Sequence, residues 1–328
     1  MQALTLPIGT ELGGYVLAGV LGSGASGTVY RARDAEGLSV ALKLLHPSVA
    51  GDPAARRRLA REVAAQRAIR SPFVAEVVDV ELDGAEVFIV TELVEGISLS
   101  RDIVKNGPWP PSDLASLARD LDQALSAVHA AGVVHRDVKP SNVVLNRRGR
   151  PTLIDFGIAQ EFASDRLTGT GMVAGTPGFV SPELLRGGDP TPGSDRWAAA
   201  ALLLNAATGR QPFGSGAVEA VLTRVLDGRP DLAGLPEHVA AAFQSALDPT
   251  PERRLSLTEL AVAICPDPLA PAGAEEEDLP PTAVAPSLPG EDPGENPGAT
   301  TDQLWTEPPV VDYRRWVADS AQGPWRPP

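Results

Sequence analysis

His135-Arg-Asp137-Val-Lys139-Pro-Ser-Asn142 and, after ten intervening residues, Leu153-Ile-Asp155-Phe-Gly157 decide how this chain is read. Two carboxylates, an amide and a lysine converge on loops beside short apolar runs. That set suits phosphoryl transfer: one carboxylate orients a hydroxyl, while a second with the amide holds Mg²⁺ through hard oxygen donors. Solvated loop charge accounts for any one of these residues, but poorly for the whole spacing.

Two upstream segments point the same way. Gly22-Ser-Gly24-Ala-Ser-Gly27-Thr-Val29 is a glycine loop between strand-like runs. Glycines let the backbone approach a polyphosphate and aim amide donors at it. A dinucleotide fold requires a helix after such a loop, and here a strand follows, which favours a hairpin flap over phosphates. Val40-Ala-Leu-Lys43 places one of only three lysines in an apolar strand, against 25 arginines. Such a lysine either snorkels from a sheet edge or is paired, and its natural partner is Glu62 on the next helix.

The wider pattern predicts an α+β chain. Short β-type runs fill Tyr15–Leu93, interrupted by one helix over about Pro53–Ile69, and periodic leucines from Leu114 open a helical region behind a Ser112-Asp113 start signal. Residues 266–328 hold 14 of 32 prolines, with 12 acidic and 3 basic side chains, which leaves 30 acidic and 25 basic for the other 265 residues. That segment reads as a disordered tail, 266–328, behind one folded region, 1–265. A net charge of −14 argues against nucleic acid as partner, and the lone Cys265 excludes an intrachain disulfide. No apolar run spans a bilayer and no signal peptide precedes the fold, so a cytoplasmic location is expected.

Taken in order, these segments resemble the eukaryotic-type protein kinases, and specifically the bacterial Ser/Thr kinases of high-GC organisms, over roughly residues 12–264. Ser181-Pro-Glu183, Asp195 and an arginine near 254 complete the resemblance. It implies a two-lobed kinase fold, with a small β-rich lobe over about 12–93 and a larger helical lobe over about 94–265. ATP lies in the cleft between them. It also implies that Lys43 holds the α- and β-phosphates and pairs with Glu62 when active. Asp137 is the implied base, Lys139 contacts the γ-phosphate, and Asn142 and Asp155 bind Mg²⁺. Adenine is expected between Leu21, Val29 and Ala41 above and Val144 below, bonded to backbone groups of Glu92 and Val94, with Thr91 as gatekeeper. For the apolar positions, plain core packing stays open.

Lys139 and Gly175-Thr176 match the Ser/Thr rather than the Tyr pattern, with Thr176 expected to bond the base region. Thr168 and Thr170 are the expected autophosphorylation sites, answered by Arg136. Asp195 is expected to brace the His135–Asp137 backbone, and Glu183 to pair with Arg254 or Arg253. Departures from the family pattern are Gln66, at a usually apolar or small packed position, and also Ala200, Asn205 and Ser181. A pseudokinase scaffold and a small-molecule phosphotransferase are the rival readings. Intact Lys43, Asp137, Asn142 and Asp155 oppose the first, and the Ser181–Glu183 segment, Asp195 and Thr176 oppose the second. Expected partners are ATP, proteins bearing Ser or Thr, and a second copy for trans-autophosphorylation. Trp305, Trp316 and Trp325 are read as a docking end, with a fortuitous remnant or a juxtamembrane stub of a longer chain as the alternatives.

Overall fold

Strict alternation through Ser39–Leu45 turns Val40, Leu42 and Leu44 to one side and Ala41 and Lys43 to the other. In the computed structural model, which describes residues 6–24, 27–46, 53–157 and 176–266, this stretch is a central strand of a six-stranded antiparallel sheet. The strands are β1 (Glu11–Leu12), β2 (Tyr15–Gly24), β3 (Gly27–Arg33), β4 (Ser39–Leu45), β5 (Val77–Glu81) and β6 (Phe88–Glu92), in the order β1-β2-β3-β4-β6-β5. Leu17, Tyr30, Leu42, Phe88 and Val90 belong to a core on one face. The other face carries the cleft: Val29 stands opposite Lys43, and Ala41 opposite Thr91. Gly27 is required by crowding, since a Cβ there would lie 2.1 Å from the Leu44 carbonyl oxygen.

Helix α1 (Pro53–Gln66) crosses beside this sheet and sends Leu59 and Val63 into the larger core. It stops three residues short of the predicted end, because the Ile69 N–H turns back to the Gln66 carbonyl at 3.0 Å. After β6 the chain enters a second sheet, β7 (Gly96–Ser98), β8 (Val143–Asn146) and β9 (Pro151–Leu153). These strands are too short to show alternation, so sequence pattern does not reveal them.

The helical lobe holds α2 (Leu99–Asn106), α3 (Pro111–Ala130), α4 (Pro182–Leu185), α5 (Pro192–Thr208), α6 (Val218–Leu226), α7 (Glu237–Ala246) and α8 (Leu257–Ile264). Helix α3 begins at Pro111 rather than at Ser112-Asp113, since proline suits the first helical position with its preset φ. Helix α5 is buried on nearly every side from Ser194 to Ala206. Its start is fixed by a reciprocal Thr191–Ser194 cap and its end by Gly209 at φ +69°. Trp197 on α5 stacks on Phe213 at 5.4 Å. Among the described residues, no helix is long and apolar enough to cross a membrane. Thr168, Thr170, Gly175 and all but the first residue of the 266–328 tail lie outside the described residues.

Candidate active site

The loop between α3 and β8 is held from beneath by one buried carboxylate. Asp195, in the first turn of α5, accepts the Arg136 N–H on Oδ1 at 2.9 Å. Its Oδ2 accepts the His135 N–H at 2.8 Å and lies 2.8 Å from His129 Nε2. The brace expected from Asp195 is in place. His129, near the end of α3, is a third partner that sequence reading missed, since a histidine at a helix C-terminus has many bland explanations.

The brace fixes an uncommon backbone. Arg136 adopts φ +68°, a region that side chains with a Cβ enter at a cost of roughly 1–3 kcal/mol. Asp155 does the same at φ +57°. The two loops touch through Gly157, whose N–H donates to the His135 carbonyl at 2.9 Å. A Cβ on Gly157 would sit 3.2 Å from both the Arg136 and Asp137 Cβ atoms, so glycine permits the approach. The rings of His135 and Phe156 lie 4.7 Å apart. His135 is fully buried, and burial pushes its imidazole below the ordinary range despite the opposing pull of Asp195, Asp137 and Asp155.

Asp137 is oriented through a single oxygen. Its Oδ2 accepts from Lys139 Nζ and from Asn142 Nδ2, each at 2.8 Å, and Asn142 also bonds the Asp137 carbonyl at 2.8 Å. Asp137, Lys139 and Asn142 thus form one constellation, with Asp155 following at the end of β9. The Ile154 N–H donates to the Asn142 carbonyl at 2.9 Å and ties the two expected metal ligands together. One carboxylate and one amide oxygen fit a hard divalent cation whose other positions are filled by phosphate and water. Among the described residues no group of three or more His, Cys, Asp or Glu could hold a metal ion.

Lys43 departs from expectation. It pairs with Asp155, while Glu62 accepts from Arg136 Nη1 at 2.8 Å. The partner expected for Lys43 is therefore engaged elsewhere, because the placement of α1 brings Glu62 to the Arg136 guanidinium. Thr176 also departs: it is exposed and its carbonyl accepts the Phe179 N–H, while Asp137 is held by Lys139 and Asn142.

The adenine candidates line the cleft side of the sheet. Val29, Ala41 and Thr91 are half-buried, Leu21 is exposed, and Val144 is buried beneath on β8. Gly22 and Gly24, exposed at the hairpin end of β2, have nothing within 4 Å of where a Cβ would stand, so there is open space beside the flap. The Glu92 N–H is taken by the Glu76 carbonyl at 2.9 Å, and Val94 follows half-buried in the segment joining the lobes. Further down, Glu183 receives two bonds from Arg254, at 2.9 and 2.6 Å, which decides between Arg254 and Arg253. Burial alone would raise the Glu183 carboxyl, but the Arg254 guanidinium together with local hydrogen bonding reverses this and holds it below its usual range.

Comparison with known proteins agrees with this geometry. Residues 15–263 match the family described as Protein kinase domain. The serine/threonine-protein kinase AfsK of Streptomyces griseus is 39% identical over 249 residues, covering 75% of this chain and 31% of the relative. The probable serine/threonine-protein kinase PkwA of Thermomonospora curvata is 35% identical, covering 78% and 34%. The chain therefore spans about a third of the length of these two relatives. Among solved structures, the kinase domain of Mycobacterium tuberculosis PknI superposes with a TM-score of 0.60 at 29% identity, covering 79% of this chain and 98% of that one.

Proposed function

The chain belongs to the protein kinase family, and from that premise we propose that it transfers the γ-phosphate of ATP, with Mg²⁺, to Ser and Thr hydroxyls of proteins. The observation that carries this reading is Asp137, whose Oδ2 is fixed by Lys139 and Asn142 while Oδ1 takes neither bond. A carboxylate pinned on one side presents its other oxygen to a substrate hydroxyl and accepts that proton as the phosphoryl group departs. Lys139, beside it, meets the γ-phosphate. Lys43 holds the α- and β-phosphates from the sheet above, and Gly22, Gly24 and Gly27 let the flap amides close over them. Asn142 and Asp155 would hold the metal, which supplies charge neutralisation on the phosphate oxygens. Leu21, Val29, Ala41 and Val144 sandwich the adenine, with backbone groups of Glu92 and Val94 at its edge and Thr91 behind it.

Substrate class and regulation complete the proposal. Relatives carrying serine/threonine-protein kinase in their names support Ser/Thr acceptors. Autophosphorylation at Thr168 and Thr170, in trans through self-association, adds about −1.5 to −2 charges per site for Arg136 to meet. We assign the kinase unit to residues 1–265, place its action in the cytoplasm, and give the Trp305–Trp325 end a docking role. Transfer of labelled phosphate from ATP to the chain itself and to a Ser/Thr protein acceptor tests the reading. Transfer by wild type and its loss in Asp137→Asn are expected; equal transfer by Asp137→Asn would refute the assignment. Mass spectrometry of the product locates the acceptor threonines, and deleting residues 300–328 followed by partner pull-down tests the docking role.

A further inference from the structure

Away from the cleft, a cavity of about 450 Å³ lies between the second sheet, the end of β6 and the segment that follows α1. We infer that it is a binding site for a small organic cation with an apolar stem and a neutral polar end. None of Leu21, Val29, Ala41, Lys43, Asp137 or Val144 lines this cavity, so it is separate from the site described above. The inference does not rest on the nucleotide reading.

The lining sorts by burial into a floor and a rim. Ile69 and Val74, each 5% exposed, give the floor its apolar surface. Thr152 joins them at 4% exposed, because alternation along β9 sends Leu153 into the core and Thr152 the other way. The Thr152 hydroxyl makes no hydrogen bond among the described residues. It has given up hydration without a return, so a ligand atom that meets it gains more than the same bond would yield at an exposed group.

The rim carries Glu76, Glu92 and Glu95, all exposed, against Arg70. Glu76 meets Arg70 at 3.4 Å and Glu95 meets Arg147 at 2.7 Å. The Glu92 carboxylate accepts the Glu76 N–H at 3.3 Å and has no ion pair among the described residues. Negative charge thus stands at the mouth, above a floor that is apolar apart from one open hydroxyl. The carboxylates do not form a group that could hold a metal ion, so the arrangement selects an organic cation. An ammonium or guanidinium meets the rim, its methylenes lie on Ile69 and Val74, and its far polar atom reaches Thr152.

The test is an NMR titration of the full chain with 5-amino-1-pentanol, which has all three parts. Pentylamine lacks the hydroxyl, 1-pentanol lacks the charge, and 5-hydroxypentanoate reverses it. The amino alcohol should bind more tightly than pentylamine or 1-pentanol, and the anion should not bind. Thr152→Val should weaken the amino alcohol about fivefold and leave pentylamine unchanged, since only the former loses a bond. Glu92→Gln should weaken both amines about threefold and leave 1-pentanol unchanged. If Thr152→Val fails to fold, Thr152→Ala carries the same expectation, and the ligand series on the unaltered chain needs no variant. Absence of binding, equal binding of cation and anion, or wild-type affinity for the amino alcohol in folded Thr152→Val overturns the inference. Displacement of the amino alcohol by a non-hydrolysable ATP analogue also overturns it, by placing that ligand in the cleft.

Discussion

Asp155 neutralises Lys43 in the structure described, and on the proposed reading it is also the carboxylate offered to a metal ion. Asp155→Asn keeps the shape but loses the charge, and steady-state assays should show metal-dependent turnover falling to background. Asp137→Asn should lower kcat by roughly 10²–10⁴ while nucleotide affinity changes little, because on the proposed reading this carboxylate acts as base on the acceptor hydroxyl. His135 gives a pH signature. Its folded pKa lies below the ordinary 6.5, so its contribution is intact above that value. As pH falls below 6.5 the unfolded chain gains a proton that the fold refuses, and stability declines. Urea midpoints measured between pH 7.5 and 5 should fall, and His135→Phe should remove part of that slope. At this scale the sequence was informative wherever a role depends on chain neighbours. Asp137, Lys139 and Asn142 lie within one short segment, and they meet in space. The partner of Lys43 was illegible, because the choice between Glu62 and Asp155 depends on where α1 sits.

Helices carry the next set of consequences. Arg254, in the loop before α8, pairs with Glu183 on α4, and its side chain is 7% exposed. It also bonds the carbonyls of Asp248 and Gly193, at 2.9 and 3.2 Å. Arg254→Ala strands a half-buried carboxylate and should cost about 3 kcal/mol in chemical unfolding, whereas an Arg254→Met, Glu183→Leu double variant should cost less. Asp120 on α3 runs the other way. Burial raises its pKa to about 6, with Arg150 and Arg119 only partly offsetting this. A raised carboxyl stabilises the fold at acid pH and loses that contribution as pH rises through 6. Asp120→Asn should therefore stabilise the protein at pH 8 by on the order of 1 kcal/mol, after allowing for solvent screening, and should gain nothing near pH 4. Element existence was legible from period and turn signals, since α3 and the β2–β4 strands declare themselves. Boundaries were not, because Pro111 and the Thr191–Ser194 cap act through local geometry that outranks the nearest polar residue.

For the whole molecule, a ligand that touches the sheet above and the Asp137 loop below should bind the folded form alone. Saturating Mg²⁺ and ATP analogue, at about 100 times Kd, should therefore add about 2.7 kcal/mol to stability. Asp155→Asn should lose the metal-dependent part of the rise, read as the shift in Tm with and without Mg²⁺. The Asp195 brace has a different consequence, in the time domain. The His135 and Arg136 amides end on a carboxylate 2% exposed at the start of a helix buried on nearly every side. No small local opening frees them, so these two amides should exchange with deuterium only as slowly as the entire lobe comes apart. Gly22 and Gly24 stand exposed at the hairpin end of β2, where fraying of the strand end frees amides, and should exchange many orders of magnitude sooner. On the proposed reading, the same protein then keeps its base on the slowest clock it has and its phosphate cover on one of the fastest.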